Sequence, residues 1–151
     1  MSGNHKGSLK RALKIIKKAK EIGASAVKLQ TFDLNEMTIN SKNKSFIIND
    51  KTSPWYKKNL YQLYKIAQTP KKWHKEIFKY SKKIGIICFS SVFDLKSLSF
   101  LEKLNAPAYK IASFENNYIS LIEKVARTNK PIIVSTGMAK ISEISEIVSI
   151  I

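Results

Sequence analysis

Hydrophobic positions along the chain alternate between a helical spacing and short apolar runs, and this alternation predicts helices separated by buried strands. Leu9, Ala12, Leu13, Ile16 and Ala19 follow the helical period, with Ser8 placed to cap the first turn and Gly23 to end the helix after Ile22. The run Ala26 to Thr31 reads as a strand, and a long polar segment from Asp33 to Pro54 follows it, with Phe46 to Ile48 as a small hairpin strand. Leu60 to Ala67 is a short helix. Thr69 and Pro70 form a cap and first turn for a second helix that reaches about Lys83, with Trp73, Ile77, Phe78 and Tyr80 as its apolar stripe.

The same reading continues to the end. Ile86 to Ser91 is a strand and Asp94 opens a helix over Leu95 to Leu104. A strand from Ala108 ends at Ser113, Ile119 to Thr128 is helical, Ile132 to Ser135 is a further buried strand, and a helix from Ser142 runs on to Ile151. Helices between all strands call for parallel pairing through right-handed crossovers. The expected fold is therefore α/β, and two architectures fit: part of a (β/α)8 barrel or a small doubly wound sheet. Polar residues at the C-terminal end of every strand, and no glycine-rich phosphate loop after the first, favour the barrel. The 151 residues then form one partial barrel domain, about strands 2–5 with flanking helices.

Two strands break the apolar pattern. Lys28 and Gln30 share a strand face with Ala26, and Lys110 stands in the middle of Ala108 to Glu115. A buried ammonium is costly unless an anion or dipole compensates it, so these lysines point to a bound anion or a chemical role. Collected by strand, the C-terminal ends supply Asn4 and His5; Lys28, Gln30 and Thr31; Ser90 and Ser91; Lys110, Ser113 and Glu115; and Ser135 with Thr136. Hydroxyls with two ammonium groups suit a small acid carrying phosphate and carboxylate. Strand-end serines such as Ser91 and Ser113 also commonly cap the next helix. His74 reads as structural, and Trp55, Tyr56, Tyr61 and Tyr64 read as packing.

Composition narrows the partners. The formal net charge is +16, from 27 basic and 11 acidic residues, yet Arg11 and Arg127 are the only arginines. Specific nucleic-acid recognition favours the arginine fork, so the lysines read as a solvated surface. The single cysteine, Cys88, lies in an apolar strand, permits no intrachain disulfide and suits a reduced cytoplasmic setting. No apolar stretch approaches the roughly 20 residues that span a bilayer.

Five collinear motifs then carry a resemblance: Ser2-Gly-Asn-His-Lys-Gly-Ser8, Val27-Lys-Leu-Gln-Thr31, Phe89-Ser-Ser91, Tyr109-Lys-Ile-Ala-Ser113 and Lys130-Pro-Ile-Ile-Val-Ser-Thr-Gly-Met138. Together they resemble the N-acetylneuraminate (sialic acid) synthase family. Tyr64 to Pro70, Trp73-His74, Cys88 to Ser91 and Ala112 to Glu115 are most similar to its pseudaminic acid synthase branch. The resemblance implies a barrel enzyme that condenses phosphoenolpyruvate with the open-chain aldehyde of an N-acylated amino hexose, giving a nine-carbon 2-keto acid and phosphate for surface glycan synthesis. It implies that Lys28, Ser91, Lys110, Ser113 and Ser135 hold phosphoenolpyruvate, that Gln30 faces the sugar, and that Asn4, His5 and Glu115 lie at the mouth.

The resemblance also implies a divalent Mn or Mg ion held by residues outside this chain, and a homodimer of the full-length protein. The family's strand-1 glutamate is absent here, and Val92 replaces the usual proline after the Ser-Ser pair. The later strands and the C-terminal sugar-capping domain are also missing, so the chain reads as an N-terminal fragment, inactive by itself. Two other functions compete: a Schiff-base aldolase or lyase using Lys110 or Lys28 as the amine, and a basic nucleic-acid-binding module.

Overall fold

The computed structural model describes residues 1–151. Its four strands, β1 (Ala26–Thr31), β2 (Ile87–Val92), β3 (Tyr109–Ile111) and β4 (Ile132–Val134), form one sheet in the order β1-β2-β3-β4. Every pairing is parallel. The helices are α1 (Leu9–Glu21), α2 (Leu34–Met37), α3 (Leu60–Ala67), α4 (Lys71–Lys83), α5 (Leu95–Lys103), α6 (Ile119–Ala126) and α7 (Ile141–Ile150).

The caps predicted at Ser8 and Asp94 form. Ser8 Oγ accepts from Arg11 N at 3.2 Å, and Asp94 accepts from Ser97 N at 2.6 Å to open α5. Asp94 also accepts from Asp33 N at 3.0 Å, which ties the segment after β1 to the start of α5.

Strand alternation divides the sheet into two unlike faces. Val27 and Leu29 pack with Ala12 and Ile16 of α1, Ile77 of α4, and Ile86 and Cys88. Val92, Tyr109 and Ile111 pack with Leu98 and Leu101 of α5, Leu121, Ile122 and Val125 of α6, and Ile147 of α7. All five of these helices therefore cover one face, and α2 and α3 sit over the C-terminal strand ends. The other face, bearing Lys28, Gln30, Ser91, Lys110 and Ile133, has no helix layer. Ile87 and Ile133 on it are 55% and 49% exposed. A doubly wound sheet covers both faces and reverses its strand order; this sheet does neither. No helix is long and apolar enough to cross a membrane.

Several element boundaries differ from expectation. The helix expected to start at Pro70 starts at Lys71, with Pro70 at the cap position. Thr69 makes no capping bond; its hydroxyl is buried without a partner. Phe46 to Ile48 forms no strand: Lys44–Phe46 is a 3-10 turn, and one antiparallel bridge joins Ile47 to Asn59. β3 stops at Ile111, and Ser113–Glu115 is a 3-10 turn that lifts both residues off the sheet. β4 forms the edge of the sheet and is not fully covered, which is why Ile133 stays exposed.

Candidate active site

The pairing register sets one row of residues across the uncovered face. Gln30 stands opposite Ser91, Ser91 opposite Lys110, and Lys110 opposite Ile133. Lys28 lies one step below this row, opposite Phe89. Its Nζ reaches up and across to donate to Ser91 Oγ at 3.0 Å. Lys110 Nζ donates to Ser135 Oγ and to the Ile111 carbonyl at 2.6 Å. Ser135 N in turn donates to Ile111 O at 3.0 Å, so the sheet ladder runs on into the loop after β4.

Above this row lies a cleft of about 1070 Å³. The turn after β3 contributes Ser113 and Glu115, the N-terminal segment contributes Asn4, and the excursion between β1 and α4 contributes Glu36, Trp55 and Tyr64. Phe32 anchors that excursion, meeting Tyr64 and Phe93 edge to face at centroid distances of 5.8 Å each.

Burial sets the electrostatics. Desolvation lowers the Lys110 pKa, the neighbouring Lys28 ammonium lowers it further, and Glu115 partly offsets both. Burial raises the Glu115 pKa against the pull of Lys110, and Glu115 Oε2 is buried without a hydrogen-bond partner. Two ammonium groups ringed by three serine hydroxyls can hold a small multiply charged anion. A carboxyl with raised proton affinity beside them can hold or pass a proton.

Eight of the sequence-derived site residues line this cleft: Asn4, Lys28, Gln30, Ser91, Lys110, Ser113, Glu115 and Ser135. Four do not. Thr31 and Ser90 point to the helix side, where both are fully buried; they bond each other at 2.7 Å, and Thr31 Oγ1 meets His74 Nε2 at 2.8 Å. Alternation is the reason, since Thr31 shares the face of Leu29 and Ser90 that of Cys88. His5 is fully buried, with Nδ1 accepting from Gly7 N at 3.1 Å and its ring edge to face with Trp73 at 5.3 Å. Thr136 is exposed and lies outside the cleft wall.

The sequence pattern does not single out Glu36 or Phe93, and it reads Tyr64 and Trp55 as packing. Only the path of the β1–α4 excursion brings them to the cleft. The start of that path is fixed by the bond from Asp33 N to Asp94, a contact between distant segments that leaves no signal in the sequence. The cleft does not offer a metal-ligand set: Glu36 and Glu115 are its only acidic residues, and no three His, Cys, Asp or Glu side chains converge anywhere in the chain.

Charged and hydroxylic side chains gathered at the strand ends of an all-parallel α/β sheet form an arrangement able to receive a small anion. The NeuB family profile matches residues 15–151, and the chain belongs to that family. It is 46% identical over 150 residues to the pseudaminic acid synthase of Campylobacter jejuni, covering 99% of this chain and 43% of that protein. It is 47% identical to the Helicobacter pylori pseudaminic acid synthase, with 99% and 44% covered. The chain thus spans under half the length of these curated relatives.

Among solved structures, the N-acetylneuraminic acid (sialic acid) synthetase of Leptospira borgpetersenii, in complex with citrate, superposes with a TM-score of 0.81 at 31% identity, covering 98% of this chain and 46% of that one. The phospho-2-dehydro-3-deoxyheptonate aldolase of Thermotoga maritima matches with a TM-score of 0.65 at 14% identity, over 96% of this chain and 35% of that one, a likeness of fold alone.

Proposed function

We propose that this chain is the phosphoenolpyruvate-binding part of a pseudaminic-acid-type synthase, and that its sheet is one wall of a (β/α)8 barrel. Sequential parallel strands with helices on one face support the barrel reading, because the bare face with Ile87 and Ile133 is the surface a closed barrel would turn inward. The observation that carries the function is the pair of lysine-to-serine bonds, Lys28 to Ser91 and Lys110 to Ser135, on one face at the strand ends. They supply two cationic donors from strands separated by one intervening strand, suited to an anion with a phosphate at one end and a carboxylate at the other.

In the proposed reaction the enol C3 of phosphoenolpyruvate attacks the aldehyde C1 of an N-acylated amino hexose. The enol π electrons form the new C–C bond, and the aldehyde oxygen takes a proton. Water then adds at C2, and the C2–O bond to phosphate breaks, leaving the 2-keto acid and inorganic phosphate. Lys28, Ser91, Lys110, Ser113 and Ser135 hold the phosphoenolpyruvate, and Gln30 and Asn4 face the sugar. Glu115, whose burial favours its protonated form, is suited to hold a proton for the aldehyde oxygen. The cleft provides no ligand set for a divalent ion, so no step here runs through one.

Calorimetry with phosphoenolpyruvate, together with phosphate release and mass spectrometry for a nine-carbon 2-keto acid, tests this reading. The 151-residue chain is expected to bind phosphoenolpyruvate without turnover, because its sheet face and its β1 and β4 edges are open. The same chain extended by the remainder of a family barrel is expected to release phosphate. Absence of phosphoenolpyruvate binding by both would overturn the proposal.

A further inference from the structure

The loop after β4 and the turn after β3 meet through two residues that neither bind ions nor carry charge. Gly137 has an unexceptional backbone, yet a Cβ built on it would lie 2.8 Å from Ser113 Oγ and 3.3 Å from Ser113 Cβ. Its lack of a side chain therefore serves close approach rather than conformational freedom. The Gly137 carbonyl accepts from Asn116 Nδ2 at 3.0 Å, across 21 residues of sequence. Asn116 is only 8% exposed and follows Glu115 directly.

Ser135 itself is fixed by its N–H to Ile111 O and by Lys110, but the loop beyond it is otherwise weakly tied. Met138 next to it takes a left-handed conformation with φ of 65°, and its internal support is one backbone bond from Ala139 N to Thr136 O at 3.3 Å. Asn116 thus links the turn that carries Ser113 and Glu115 to the loop that carries Ser135, the hydroxyl bonded by Lys110.

We infer that Asn116 is a positioning residue, a latch that closes the Ser135–Gly137 loop onto Ser113 so that the Ser113 and Ser135 hydroxyls flank Lys110 as one cradle for a phosphate group. The inference rests on the proposed phosphoenolpyruvate site. Losing the Asn116 amide would free the loop at Gly137 and loosen the spacing of the two hydroxyls without altering Ser113, Ser135 or Lys110. A methyl at position 137 would produce the same defect from the other side, by pushing Ser113 away.

The test uses the 151-residue chain with inorganic phosphate and phosphoenolpyruvate as separate probes, read by amide NMR titration, with the unliganded thermal midpoint measured in parallel. Asn116→Ala is expected to bind both anions about five- to tenfold more weakly, the scale of one lost hydrogen bond, and to shift the unliganded Ser135 and Gly137 amide resonances. Asn116→Asp, which sets a carboxylate against the Gly137 carbonyl, is expected to bind more weakly still. Gly137→Ala should lose affinity, and Gly137→Ala with Ser113→Gly should recover the unliganded Ser135 resonance but not the affinity, because the donor is gone.

Unchanged affinity and unchanged Ser135 and Gly137 resonances in a folded Asn116→Ala chain would overturn the latch and leave the proposed function standing. A loss of affinity matched only by a lowered thermal midpoint, with those resonances unmoved, would also overturn it. If neither the unaltered chain nor the chain extended by the remainder of the barrel binds either anion, the proposed function fails and the latch falls with it; if only the extended form binds, the same variants are read in that form.

Discussion

Lys28 on β1 donates to Ser91 on β2 at 3.0 Å, one strand across and two residues beyond its register partner Phe89. Lys110 repeats the same step onto Ser135, two residues beyond its own partner Ile133. Each lysine is thereby held upright on the bare face of the sheet, its ammonium bonded to a hydroxyl rather than to a carboxylate. Neither ammonium is paired with a carboxylate by a hydrogen bond, although Glu115 partly offsets Lys110, so both remain available to an anion.

Replacing either lysine by methionine keeps the aliphatic packing and removes the charge. Lys28→Met and Lys110→Met are each expected to weaken phosphoenolpyruvate binding about ten- to a hundredfold, the range for a charge-assisted hydrogen bond. Ser91→Ala should cost less, because the lysine keeps its charge. Calorimetry on folded variants measures both effects.

Glu115 should destabilise the fold at neutral pH. Its folded pKa is raised by burial above the ordinary 4.5, so between the unfolded and folded values the folded state binds more protons. Its contribution is therefore fully present below 4.5 and is lost as pH rises through the folded value. Glu115→Gln is expected to raise the thermal midpoint above that of the unaltered chain at neutral pH, with the difference shrinking as pH falls toward 4.5. A difference that does not change with pH would contradict this.

His74 sits under the sheet as a structural tie. Its Nδ1–H donates to the Pro70 carbonyl at 3.2 Å, which leaves Nε2 to accept from Thr31 Oγ1 at 2.8 Å. Its ring also meets Phe100 edge to face at 5.2 Å. His74→Ala removes one of the two partners of the Thr31 hydroxyl, leaving Ser90, and opens a cavity, and is expected to cost about 2–4 kcal/mol in urea unfolding. His74→Leu should cost less, because it refills the packing and the Thr31 hydroxyl keeps Ser90 as its partner.

A lysine with a lowered pKa could also form an imine, so the Schiff-base alternative has its own test. Borohydride with pyruvate is expected to leave Lys110 and Lys28 unmodified by mass spectrometry, since both amines are already engaged as donors to serine hydroxyls. A trapped adduct on either lysine would replace the synthase reading with the aldolase.

A reader of the sequence alone finds the two lysines, because an ammonium in an apolar strand is anomalous wherever that strand packs. The period of two was enough to put Lys28 and Gln30 on one face, and it would have placed Thr31 and Ser90 on the other. Polarity at a strand end does not say which face a side chain takes; alternation does. Ser8 and Asp94 were legible as caps because capping is local. His5 and Thr136 were not legible, since they lie in turns where no period applies.

The amino-acid order by itself thus determined the four strands of the sheet, six of the seven helices and the two anomalous lysines that mark the candidate site. Only the tertiary structure decided the register that sets Ser91 opposite Lys110, the route that brings Glu36, Trp55 and Tyr64 over the sheet, and the contact between Asn116 and Gly137. Those depend on how separate segments pack against one another, and contacts between residues far apart in the chain leave no periodic trace in it.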